Sequence, residues 1–154
     1  AEHAQALLGL VIGRSRKVSM DPIHTDEITR FVRGTLGCQC PDEVFRSIVI
    51  GQERTADHGE PFTRLQVGDR LRIYIVPPSA TAAVPDTLAA LARQGRVERD
   101  AKGYNRFRLV IASRDAAAQS TAAREVFDAA LGHDDKAHLH LVAGSEIPIA
   151  LGIV

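Results

Sequence analysis

Both cysteines of the chain fall in one four-residue stretch, Gly37-Cys38-Gln39-Cys40, followed directly by Pro41-Asp42-Glu43. Two thiols one residue apart suit three kinds of chemistry. The first is thiol redox or sulfur transfer, in which one thiolate attacks and its neighbour resolves the mixed disulfide. A disulfide across a single intervening residue closes a small ring, which favours exchange over permanent cross-linking. Pro41 suits the first position of a helix, so Cys40 is expected at a helix N-terminus, where free N–H groups favour a thiolate. Asp42 and Glu43 oppose that effect, and Arg33 and Arg46 are the cations near enough in sequence to offset them. These considerations make Cys40 the attacking thiolate and Cys38 its resolving partner.

The second is soft-metal binding. Thiolates at i and i+2 can point to one side of a turn and hold copper or half of a zinc tetrahedron. His138 and His140 alternate onto one face of a strand and would complete a Cys₂His₂ set with Cys38 and Cys40. The plain alternatives are that the cysteines pack a helix–helix corner, as free cysteines often do, and that the histidines form a solvated strand face.

The third involves no catalysis. Arg64, Arg70, Arg72, Arg106 and Arg108 all alternate with apolar residues, and the same alternation adds His138 and His140. If helices cover one face of a sheet, these residues make the other face a basic surface for an anion, a protein partner or a second copy of the chain. Nucleic acid is disfavoured, because the formal net charge is +0 and aromatics are 5%, too few to supply stacking platforms.

The elements that must position these groups follow from periodicity. Ile28, Phe31, Val32 and Leu36 recur at helical spacing over 25–37, with Thr25 as N-cap and Gly37 at the left-handed stop. A strand is expected over 46–51. Residues 62–76 alternate on both sides of Gly68-Asp69, the pattern of a β-hairpin with Leu65, Val67, Leu71, Ile73 and Ile75 inward. A helix over 86–95 closed by Gly95, a strand over 104–113, a helix over 113–131 stopped by Gly132 and a strand over 137–144 follow. The apolar tail 147–154 reads as an edge strand. Helices between the later strands imply parallel βαβ units. The expectation is an α/β (α+β) fold: a single two-layer domain spanning 20–154, with a mixed sheet of about five strands and helices mainly on one face. Residues 1–19 read as an N-terminal extension, engineered or flexible, ahead of a natural start at Met20.

The length of 154 residues suffices for one core, and charged residues at 25% are ordinary for a soluble domain. The longest apolar run, residues 6–13, is too short to span a membrane, and its basic residues follow it rather than precede it, unlike a secretory signal. A cytoplasmic setting is expected, where close cysteines act as thiols or ligands rather than staples. No G-x-x-x-x-G-K-[ST], G-x-G-x-x-G or G-x-S-x-G pattern supports nucleotide binding or a serine nucleophile. The leading expectation is a small cytosolic dithiol protein. The alternatives are a zinc or copper module and a non-catalytic interaction domain.

Overall fold

A computed structural model describes residues 14–17, 22–55, 59–77 and 85–151. Six strands form one mixed sheet in the order of the chain: β1 (Arg14–Lys17), β2 (Ile48–Arg54), β3 (Pro61–Val67), β4 (Leu71–Val76), β5 (Arg106–Ala112) and β6 (Ala137–Val142). Neighbours from β1 to β4 run antiparallel, whereas β4, β5 and β6 are parallel. The hairpin and βαβ units are those expected. The strand beyond the expected five is β1, which lies within the segment read as an extension. The remaining residues of 1–19 lie outside the described part except Arg14–Lys17.

The parallel strands are joined through α2 (Pro85–Lys102) and α3 (Ala116–Leu131). Successive right-handed crossovers moving in one direction across a sheet put their helices on the same face. Accordingly Leu88, Leu91 and Ala92 of α2 and Phe127 and Leu131 of α3 share a core with Tyr74, Phe107 and Leu139. The other face has a core of its own. There α1 (Pro22–Arg30), the π-helical turn Phe31–Thr35 that extends it, and the loop to β2 bring Ile28, Phe31, Val32 and Phe45 onto Leu65, Ile73 and Val110. The long helices thus lie on one face, and a partial third layer covers the second.

This two-sided burial corrects the single basic face. Residues paired across neighbouring strands point to the same side, and the β4–β5 register sets Arg72 beside Phe107 and Ile73 beside Arg108. Arg64 and Arg72 therefore face α2 and α3, whereas Arg106, Arg108, His138 and His140 face the α1 side. Arg70 lies in the hairpin turn. On the helix side Arg64 is ion-paired with Glu53, and the buried Arg72 lies 3.6 Å from Glu98 and over the Tyr104 ring.

Other boundaries differ for local reasons. Pro22 opens α1 and Thr25 lies inside it, where its carbonyl accepts from Thr29 Oγ1 at 2.8 Å rather than capping the helix. The helix at 86–95 does not stop at Gly95 but runs to Lys102, and Gly95 is a contact point. The Phe107 ring, third in a row with Phe62 and Tyr74 and edge-on to Tyr74, fills the space a side chain at Gly95 would need. The apolar tail is a turn at Ile149–Leu151 and not an edge strand, and residues 152–154 lie outside the described part. No helix among the described residues is long and apolar enough to cross a membrane.

Gly95→Ala is expected to destabilise the fold by about 2 kcal/mol, because overpacking against Phe107 outweighs the gain in helix propensity. Denaturant unfolding measures this, and Phe107→Leu in the same chain should recover much of the loss by making room. An unfolding midpoint that is unchanged or raised in Gly95→Ala would show that the ring contact is not tight.

Candidate functional site

The cysteine turn is built by the end of the α1 layer. The Leu36 N–H donates to the Phe31 carbonyl and the Cys38 N–H to the Val32 carbonyl, both at 3.0 Å, and Gly37 takes a left-handed φ of 74°. These contacts turn the chain across the sheet face and place Cys38 and Cys40 half-buried on the apolar core, with Gln39 exposed between them. The two sulfurs are joined as a disulfide, with Cα atoms 5.5 Å apart.

The helix expected to begin at Cys40 is only a 3₁₀ turn, Asp42–Arg46, with Pro41 at its N-cap. A turn this short has little dipole, so positive charge near the cysteines comes from side chains. Arg33 folds back onto the loop. Its Nη2 donates to the Cys40 carbonyl at 2.6 Å and to Asp42 Oδ1 at 2.7 Å, its Nε donates to the same carbonyl at 3.1 Å, and its guanidinium lies 5.1 Å from the Phe45 ring centre. Asp42, expected to oppose a thiolate, is thereby compensated.

Beside the turn is a cleft of about 360 Å³, lined by the cysteines and by Arg70, Arg106, Arg108 and His138. The sheet brings these together. Asn105 and Arg106 both donate backbone N–H bonds to the Arg70 carbonyl, which ties the hairpin turn to the start of β5. His138 is the register partner of Arg108 on the same face. The cleft therefore opens at the N-terminal ends of the parallel strands, under the cysteine turn.

Arg108 is the deepest of these groups, only 8% exposed. Its Nη1 donates to the Leu36 carbonyl at 2.8 Å and to His140 Nε2 at 2.9 Å. A guanidinium can only donate, so Nε2 of His140 carries the lone pair and the ring is neutral with its proton on Nδ1. Burial first, then the charges of Arg108, His138 and Arg124, push the His140 pKa down to about 4. Burial, followed by Arg108 and Arg106, also lowers His138, with Asp134 and Asp135 pulling weakly the other way. Arg108 itself is lowered by burial and by Arg106.

The structure thus joins Cys38, Cys40, Arg70, Arg106, Arg108 and His138 around one cleft and leaves Arg64 and Arg72 on the far side of the sheet. His140 is taken up by Arg108. Among the described residues no three of His, Cys, Asp and Glu are placed to share a metal ion. Arg33, expected to offset Asp42 by folding back, does so, whereas Asn105 belongs to the site and carries no sequence signal, because its role depends on the hairpin turn meeting the start of β5. The chain matches no protein-family model, no curated protein and no solved structure.

The sign of the histidine effect is fixed by its direction. His140 has a folded pKa of about 4 against an ordinary 6.5, so the unfolded chain binds the extra proton in that interval. The stability it contributes is complete above the ordinary value and is lost as the pH falls toward the folded one. His140→Gln keeps an acceptor for Arg108 and cannot titrate, so the fall in melting temperature between about pH 7 and about pH 4.5 should shrink by several degrees. An identical fall in both proteins would rule out a buried neutral His140.

Proposed function

We propose that the Cys38-Gln39-Cys40 turn is a thiol–disulfide exchange centre and that the chain is a small dithiol protein of a reducing cytoplasm. The observation that carries this reading is the paired sulfurs, half-buried at a cleft whose charged lining is entirely cationic. Positive charge close to a sulfur lowers its pKa, which helps it leave as a thiolate and attack as one.

In the oxidised state, the thiolate of an incoming thiol attacks one sulfur of the pair, and the other leaves as a thiolate. A second thiol then resolves the mixed disulfide. The Cys38–Cys40 pair gains two electrons and two protons, and the two thiols become a disulfide. The reverse sequence oxidises the pair. The same centre suits sulfur transfer: reduced Cys40 takes the outer sulfur of a persulfide donor, which leaves as a thiolate. Cys38 then attacks the Cys40 persulfide, releasing hydrosulfide and restoring the disulfide. Cys40 is assigned the attacking role because the Arg33 guanidinium sits on its carbonyl and takes up the charge of Asp42.

Single-cysteine variants test this. With Cys38→Ser, the Cys40 thiol should ionise at least one unit below the value of about 8.5 for a free cysteine and alkylate correspondingly faster at about pH 6.5. Cys40→Ser should leave a slower Cys38. The wild-type pair should equilibrate between dithiol and disulfide in mixtures of small thiol and disulfide. Ordinary titration of both thiols, together with a pair inert to such mixtures, would rule out the exchange role.

A further inference from the structure

We infer that the cleft beside the cysteine turn is an oxyanion site organised around Arg108, and that it selects anionic thiols or sulfur donors for the exchange centre.

Charged groups removed from water are kept only when paired. The other buried arginines obey this rule. Arg72 lies against Glu98, and Arg99 is bonded to Asp100 at 2.9 Å and to Asp134 at 2.8 Å. Half-buried Arg64 is paired with Glu53. Arg108 is the exception. It is more than nine-tenths buried, and among the described residues no carboxylate pairs with it. Its Nη1 partners are a carbonyl and an imidazole, both neutral, and its buried Nε has no hydrogen-bond partner.

The surroundings add charge of the same sign. Arg106 and Arg70 line the same cleft, and neither has an acidic partner among the described residues. No acid among the described residues lines the cleft. Among the described residues, the only side-chain hydrogen bond of either is a long one from Arg106 Nη1 to the Asn105 carbonyl, at 3.5 Å. Three guanidinium groups of this kind repel one another unless an anion lies between them. Guanidinium groups bind planar or tetrahedral oxyanions through paired N–H donors, and His138 can add a further one. A cavity of about 360 Å³ holds a phosphate or sulfonate with a few carbons attached. Because the same cavity is walled by Cys38 and Cys40, an anion held there keeps a sulfur tethered to it close to the disulfide. The anion site stands on Arg108 and its neighbours, whereas its coupling to exchange rests on the dithiol reading.

The test has two arms on the intact chain. In the first, inorganic phosphate and sulfate are titrated into the oxidised protein and followed by calorimetry and thermal shift. Both should bind and raise the melting temperature more than chloride at equal ionic strength. Arg106→Gln should weaken binding about tenfold or more, as expected for a charged hydrogen bond, and Arg70→Gln less. If Arg108→Gln does not fold, Arg108→Lys keeps the charge without the planar fork and should bind more weakly than wild type. Binding should persist in Cys38→Ser with Cys40→Ser. No binding beyond the chloride effect would overturn the site.

The second arm compares reduction of the disulfide by 2-mercaptoethanesulfonate and by cysteamine at equal thiolate concentration. The sulfonate should react about tenfold faster or more, and the ratio should approach unity in Arg106→Gln. Phosphate bound with no preference between the thiols would overturn the selecting role. Phosphate bound with a disulfide inert to both reagents would overturn exchange and leave the anion site standing.

Discussion

Strand β4 is buried at all six positions and β5 from Phe107 to Ala112, so the centre of the sheet meets water on neither face. Parallel strands joined by crossovers require this cover, because their exposed alternation would otherwise leave apolar rows in solvent. Once both faces are covered, every charged side chain on the central strands is confined to one of two environments. On the helix face the arginines meet carboxylates from β2 and α2. On the other face Arg108 meets the Leu36 carbonyl at the end of the α1 layer and His140 of β6, and among the described residues no carboxylate pairs with it. The chemistry of the cleft is thus a by-product of how the sheet is covered.

Much of the scaffold is written locally. The hairpin at Pro61–Val76, the left-handed stops at Gly37 and Gly132 and the helical spacing of Ile28, Phe31, Val32 and Leu36 are all short-range signals, and each is found in the fold. The alternation of β4 and β5 was equally legible residue by residue. Its sign across strands was not, because period two tells which residues of one strand agree with each other and leaves open which face they share with the next. The parallel register decides that, and it puts Arg72 and Arg108 on opposite sides. Gly95 misleads for a related reason. A glycine near the end of an amphipathic run resembles a stop, and only the position of the Phe107 ring reveals it as a place of close approach.

The site was half legible. The cysteine pair announces itself, and its half-buried place on the core could be anticipated. Positive charge beside the cysteines was expected from a helix start and from Arg33 or Arg46 folding back; the helix is only a short turn, Arg33 does fold back, and three further guanidinium groups come from the hairpin turn and β5. That exchange matters physically. A dipole at a helix end is fixed and weak, whereas side-chain cations are stronger, depend on salt, and can be shared with a ligand. A cleft at the N-terminal ends of parallel strands is also unlike the usual ligand crevice at their carboxyl ends. It exists because the loop from α1 to β2 returns across that edge.

The clasp of Arg33 has one more consequence. Gly37, the Cys38 N–H and the two-pronged contact of Arg33 with Cys40 and Asp42 hold the path of the backbone without involving the sulfurs. The path of the turn is therefore held by main-chain and Arg33 contacts as well as by the disulfide. Exposed Gln39, which has no side-chain hydrogen bond among the described residues, is a position in that turn where a different residue leaves these contacts in place.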